Sequence, residues 1–169
     1  MRKINSLIII IMIAATTGAM AQESATASSS ATIVAPIGIA QAADMNFGNV
    51  ATNDAGGTVI MTTGGSTSLT GGVTLPNNTG TVTAAAFNVT GESNYTYSIT
   101  LPTDAITLVE EEGSEEMTVD TFESDPDTTG TLTTGAQTVN VGGILNVTGG
   151  QTAGVYTNST DLTVTVNYN

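Results

Sequence analysis

Leu162-Thr163-Val164-Thr165-Val166-Asn167-Tyr168-Asn169 closes the chain with an apolar residue at every second position. Leu162, Val164, Val166 and Tyr168 take one side, and Thr163, Thr165 and Asn167 take the other. A period of two in β-branched and aromatic residues predicts a strand with one face in a core and one in water. The alternation runs to Tyr168, so these residues and Asn169 are expected either to be the ordinary last strand of a small sandwich or to form an edge where a partner adds a strand, with Asn169 offering its carboxylate.

Upstream, the same pattern recurs in short runs separated by turn residues. Tyr95-Thr96-Tyr97-Ser98-Ile99-Thr100-Leu101 is the cleanest, and Pro102 ends it. Ala85, Phe87 and Val89 are in phase within 81–90, and the segment from Asn88 to Tyr95 is expected to join these two runs as a hairpin. Residues 105–109 and 117–122 flank an acidic turn, while 137–141 and 144–148 flank Gly142-Gly143, a tight turn or bulge. Shorter runs fall at 45–50, 58–62 and 66–75. Near the start, 31–40 places Ile33, Ala35, Ile37 and Ile39 on one face, with Pro36 marking an edge. These residues are expected to form the first strand or a donated one. No stretch after residue 21 sustains a 3.6-residue apolar period, so no long helix is expected. About nine or ten short strands with regular turn signals predict an all-β fold, an immunoglobulin-like antiparallel sandwich without Cys or Trp marks.

The N-terminal 21 residues read as a cleaved secretory signal: Arg2 and Lys3, the apolar run Leu7 to Ala15, then Ala19-Met20-Ala21. Residues 22–30 are small and polar and read as a flexible extension, leaving 31–169 as one sandwich domain. The expected location is therefore the periplasm in transit, then the cell surface or beyond, with no insertion of the mature chain into a membrane.

The charge pattern excludes much chemistry. The chain holds 15 acidic residues and 2 basic ones, and both basic residues lie in the first three positions. After residue 3 there is no Lys, Arg or His, and there is no Cys anywhere. Nothing can neutralise nucleic-acid phosphates. Ser/His/Asp and Cys/His nucleophile systems cannot be built, nor can imidazole metal sites. No disulfide can staple the fold. The chain is expected to be no enzyme and to carry no cofactor. Glu123, Asp125 and Asp127 stand at two-residue spacing and are the candidate ligands for a hard cation such as Ca²⁺. A like-charge block of this kind is ordinarily a solvated loop.

Taken together, Ser30 to Ile37, Met45-Asn46-Phe47-Gly48, Phe87-Asn88-Val89-Thr90-Gly91, Tyr95 to Pro102, Val141 to Val147, Ala153-Gly154-Val155-Tyr156 and Val164 to Tyr168 carry a resemblance. The chain resembles an exported bacterial domain-of-unknown-function family, number 4402, and more distantly the spore-coat-U-type pilins of archaic chaperone–usher fimbriae. The resemblance implies a structural subunit that assembles into a surface appendage by strand complementation. Its partners would be neighbouring copies or related subunits, with a periplasmic chaperone and an outer-membrane usher. It also implies that Tyr168 and Asn169 stand where a chaperone grips. The other expectation is a self-complete secreted sandwich, serving as an adhesin, matrix or cation-binding module.

Overall fold

A computed structural model describes residues 22–158 and 162–169; the expected secretory signal lies outside the described residues. Residues 22–33 belong to a first unit and contain no helix or strand, and their side chains are exposed. The second unit begins at Val34 and carries all the strands: β1 (Gly38–Ala43), β2 (Asn46–Phe47), β3 (Ala51–Met61), β4 (Thr67–Thr74), β5 (Val82–Thr83), β6 (Ala85–Thr90) and β7 (Thr96–Thr100), then β8 (Ile106–Glu110), β9 (Glu116–Asp125), β10 (Thr129–Thr131), β11 (Ala136–Val147), β12 (Tyr156–Thr157) and β13 (Thr165–Tyr168). Every pairing is antiparallel, and no helix occurs among the described residues. The fold is the all-β antiparallel sandwich that the periodicity predicts, with more strands than expected because several pieces have only two or three residues.

β11 is the spine of the large sheet. One of its sides pairs with β6 along Ala136–Val141 and then with β3 along Gly143–Val147, so two strands lie end to end against one. Its other side pairs with β9, and the sheet continues through β8 to β12; β4 extends it beyond β3 and β1 beyond β6. The second layer is a three-stranded sheet, β10-β7-β13. Between the layers lies one cluster in which Ala85, Val89, Val139 and Val141 of the large sheet meet Tyr97, Ile99, Leu132, Val164 and Val166. A second cluster, Phe47, Val59, Met61, Val73, Ile106, Val119, Leu145 and Val147, fills the curl of the large sheet at its other end.

Three local features differ from the sequence reading. Of the turn or bulge read at Gly142-Gly143, the turn does not form, since both lie inside one continuous strand, β11, but its pairing with β9 shifts register there as at a bulge. The register slips there because β9 carries an extra residue around Thr121, a non-glycine at φ 51°. The slip turns Phe122 inward against both clusters and leaves Glu123 and Asp125 facing out. The expected hairpin from Asn88 to Tyr95 does not form either: β6 pairs with β1 and β11, whereas β7 pairs with β10 and β13. Gly91 donates its N–H to Gly135, Asn94 donates to Leu132, and Leu132 donates to Tyr95. These bonds commit the linker to the 132–135 turn, so it crosses between layers instead of folding back. Finally, the first strand is displaced toward the C-terminus, starting at Gly38 rather than near residue 31. Pro36 has no N–H for a ladder, and both backbone groups of Ala35 are taken by side chains.

The outward face of the large sheet is a cross-strand row: Thr70 of β4, Thr58 of β3, Asn146 of β11, Thr118 of β9 and Thr107 of β8 stand opposite one another in turn. The Thr58 and Thr70 hydroxyls bond at 2.7 Å, and Asn146 donates to Thr118 at 3.3 Å and Asp120 at 3.0 Å. Polar pairs of this kind replace the ion pairs that residues 22–169 cannot make, having no Lys, Arg or His. Uncompensated carboxylate repulsion therefore opposes folding. Raising salt from low millimolar to about 0.3 M is expected to raise the melting temperature by several degrees, roughly the gain from shrinking the Debye length below 10 Å. A flat melting temperature would show that the charges are already too dispersed to matter.

Candidate assembly edge

β13 occupies the end of the three-stranded sheet, paired to β7 from Thr165↔Thr100 to Tyr168↔Tyr97. No described strand pairs with its other side. Val164 and Val166, each 8% exposed, point into the core, while Thr163, Thr165 and Asn167 are exposed, which is the alternation read from the sequence. Leu162 and Tyr168 are half-buried and pack on the core margin. Regular pairing begins only at Thr165, so Leu162 and Val164 join the core without joining the ladder.

Asn169 donates its N–H to the Thr96 carbonyl at 3.2 Å, and its side-chain amide reaches the Thr96 hydroxyl. Tyr168 is engaged more closely. Its hydroxyl accepts the Glu92 N–H at 2.6 Å and donates to the Ala35 carbonyl at 2.9 Å, and its ring stands edge-on to Tyr95. The residue expected as a handle for a partner is thus held within its own fold.

The four residues expected as first or donated strand separate. Ile33 is 97% exposed and Ala35 is exposed, whereas Ile37 is half-buried against the core. Ile39 alone lies in a strand, opposite Val89 of β6. Residues 38–43 therefore pair within their own domain, and 22–37 carry no strand.

The acidic run falls on different elements. Glu110 and Glu116 are in β8 and β9, with Glu111, Glu112 and Glu115 in the turn between them. Glu115 accepts the Thr152 N–H and hydroxyl, each at 2.7 Å, and a longer bond from the Tyr156 hydroxyl. The Thr152 bonds hold its carboxyl below the usual range, tying the turn to the 152–156 segment. Glu123 and Asp125 lie outward on β9 and Asp127 beyond it, all exposed. Among the described residues no group of three carboxylates gathers as a cation ligand set. Sequence reasoning missed Glu92 and Gly91 beside Tyr168; neither has periodicity, and only the crossing of the layers brings them there.

The family described as "Domain of unknown function (DUF4402)" matches residues 37–168. No curated protein and no solved structure matches significantly.

Proposed function

The chain belongs to the DUF4402 family of domains of unknown function, and from that premise we propose that it is a non-enzymatic structural subunit, pilin-like, assembling into a surface appendage by strand complementation. The observation that carries this reading is a strand at the end of its sheet and a strandless segment in the same chain. Among the described strands β13 pairs with β7 alone, and residues 22–33 form no strand of their own. An extended segment laid along an exposed sheet edge gains main-chain hydrogen bonds at once. Twelve extended residues reach about 40 Å, enough to run the length of a neighbouring strand. The partners are neighbouring copies, with a chaperone and an usher during export to the surface. The absence of Lys, Arg, His and Cys after residue 3 supports a role without catalysis.

A self-complete secreted sandwich, acting as an adhesin or matrix module, is the second reading. It is favoured by the pairing of β1 with β6 and by a core whose β13 residues are already covered.

Electrophoresis of native surface material, unboiled and boiled, separates the two. Strand-exchanged fibres are kinetically trapped and resist detergent until heated. A ladder that collapses to monomer on boiling is expected, and it should vanish when residues 22–33 are deleted. A single monomer band in both lanes would establish the second reading.

A further inference from the structure

Ala35 is gripped at both of its backbone groups by side chains. Its N–H donates to the Glu92 carboxylate at 2.9 Å, and its carbonyl accepts the Tyr168 hydroxyl at 2.9 Å. That hydroxyl in turn accepts the Glu92 N–H at 2.6 Å, so it is used both as donor and as acceptor. Tyr95 supports the Tyr168 ring from the side, centroids 5.6 Å apart at 63°. Gly91 makes the approach possible, because a Cβ there would collide with the Tyr168 hydroxyl and come 2.9 Å from Leu132 Cδ1. These residues take the N–H and C=O of Ala35, which precedes Pro36 and is biased to extended backbone by it, and these are the two groups a neighbouring strand would take. They read backbone, while the Ala35 side chain stays exposed.

We propose that Glu92 and Tyr168 form an exchangeable clasp for extended chain, filled by the molecule's own Ala35 when the copy is alone and by Ala35 of a second copy in the assembled form. The proposal rests on the assembly reading above. Three features of the molecule support this occupant. The second copy's segment is chemically identical, so exchange replaces every bond with its equal. Ala35 lies outside the ladder, and β1 begins only at Gly38, so releasing Ala35 leaves the pairing of β1 with β6 intact. The clasp also sits at the end of β13, whose other side no described strand pairs with, and Ala35 is two residues from Ile33, the last residue of the first unit.

The chain has no cysteine, so single thiols report cleanly. Copies carrying Ala35→Cys and copies carrying Ser93→Cys, both exposed positions, are mixed before assembly and treated with a short thiol–thiol cross-linker. Linked pairs of one variant with the other, found within a heat-labile ladder, are the expected result. Tyr168→Phe placed only in the Ala35→Cys copies keeps the ring, removes the hydroxyl from their own clasp and leaves that of the Ser93→Cys copies intact, so it should raise the linked fraction about fivefold, the weight of one net hydrogen bond. A ladder with no linked pairs would overturn the exchange while leaving strand complementation standing. Absence of both ladder and linked pairs would overturn the two together.

Discussion

Gly142→Ala is expected to cost at least about 3 kcal/mol, enough to unfold a large fraction of a domain of ordinary stability. Gly142 lies where β11 stops pairing with β6 and begins pairing with β3, and it is buried. A Cβ there would overlap the Met61 carbonyl oxygen and stand 2.7 Å from the Thr62 carbonyl carbon and 2.9 Å from the Thr63 nitrogen. These are backbone atoms at the end of β3, and backbone cannot rotate away as a side-chain tip can. Relief requires β3 to separate from β11, which breaks the ladder at the centre of the large sheet and loosens Met61 and Val59 in the core. Gly64→Ala is the matched control. Its Cβ would meet nothing nearer than the Thr62 hydroxyl at 3.9 Å, so a change within about 0.5 kcal/mol is expected. Urea denaturation of both variants measures the contrast, and equal midpoints would mean that the strand junction yields without loss.

The second large effect concerns Tyr97. It is 0% exposed at the centre of the inter-layer cluster, with its hydroxyl donating to Gln137 Oε1 at 2.9 Å. The same Gln137 oxygen accepts the Thr131 N–H at 2.8 Å, so one amide ties β7 and β10 to β11. Gly130, opposite Tyr97 in β10, leaves room for the ring: a Cβ there would fall on it. Tyr97→Ala removes a full aromatic side chain from this site, and about 3–5 kcal/mol of stability is expected to go with it. That corresponds to a melting temperature lower by on the order of 10–15 °C.

Tyr97→Phe isolates the hydroxyl, with a cost of about 1 kcal/mol expected. Burial pushes the Tyr97 phenol above its ordinary value. The neutral form is therefore favoured in the folded state, and the stability it brings is complete below the ordinary tyrosine range and is lost as pH rises through that range toward the raised value. Tyr97→Phe should flatten the alkaline limb of stability against pH. An unchanged limb would assign it to another tyrosine.

Fold class was legible because burial on a pleated strand must alternate. Val164 and Val166, Tyr97 and Ile99, and Ala85 and Val89 announce their buried face by spacing alone, and the structure keeps every one of them inside. The exclusion of imidazole and thiol side chains, and of Lys and Arg beyond residue 3, follows from residue types, whatever the fold. Partner choice between strands was not legible. Asn88 to Tyr95 has the composition of a hairpin, yet Gly91 and Asn94 bond to the distant 132–135 turn and send the chain to the other layer. Nor could spacing foresee that one extra residue in β9 would reverse which side Phe122, Glu123 and Asp125 face.

The sequence by itself determined that this protein is an all-β sandwich and that residues 164–168 alternate between its inside and its outside, because a period of two is a local property of each strand. Only the tertiary structure decided that Tyr168 reaches Glu92 and Ala35, and that the segment before Gly38 stays out of the sheet. Those contacts join residues separated by 76 and 133 positions, and a contact of that range exists only after the layers have closed on each other.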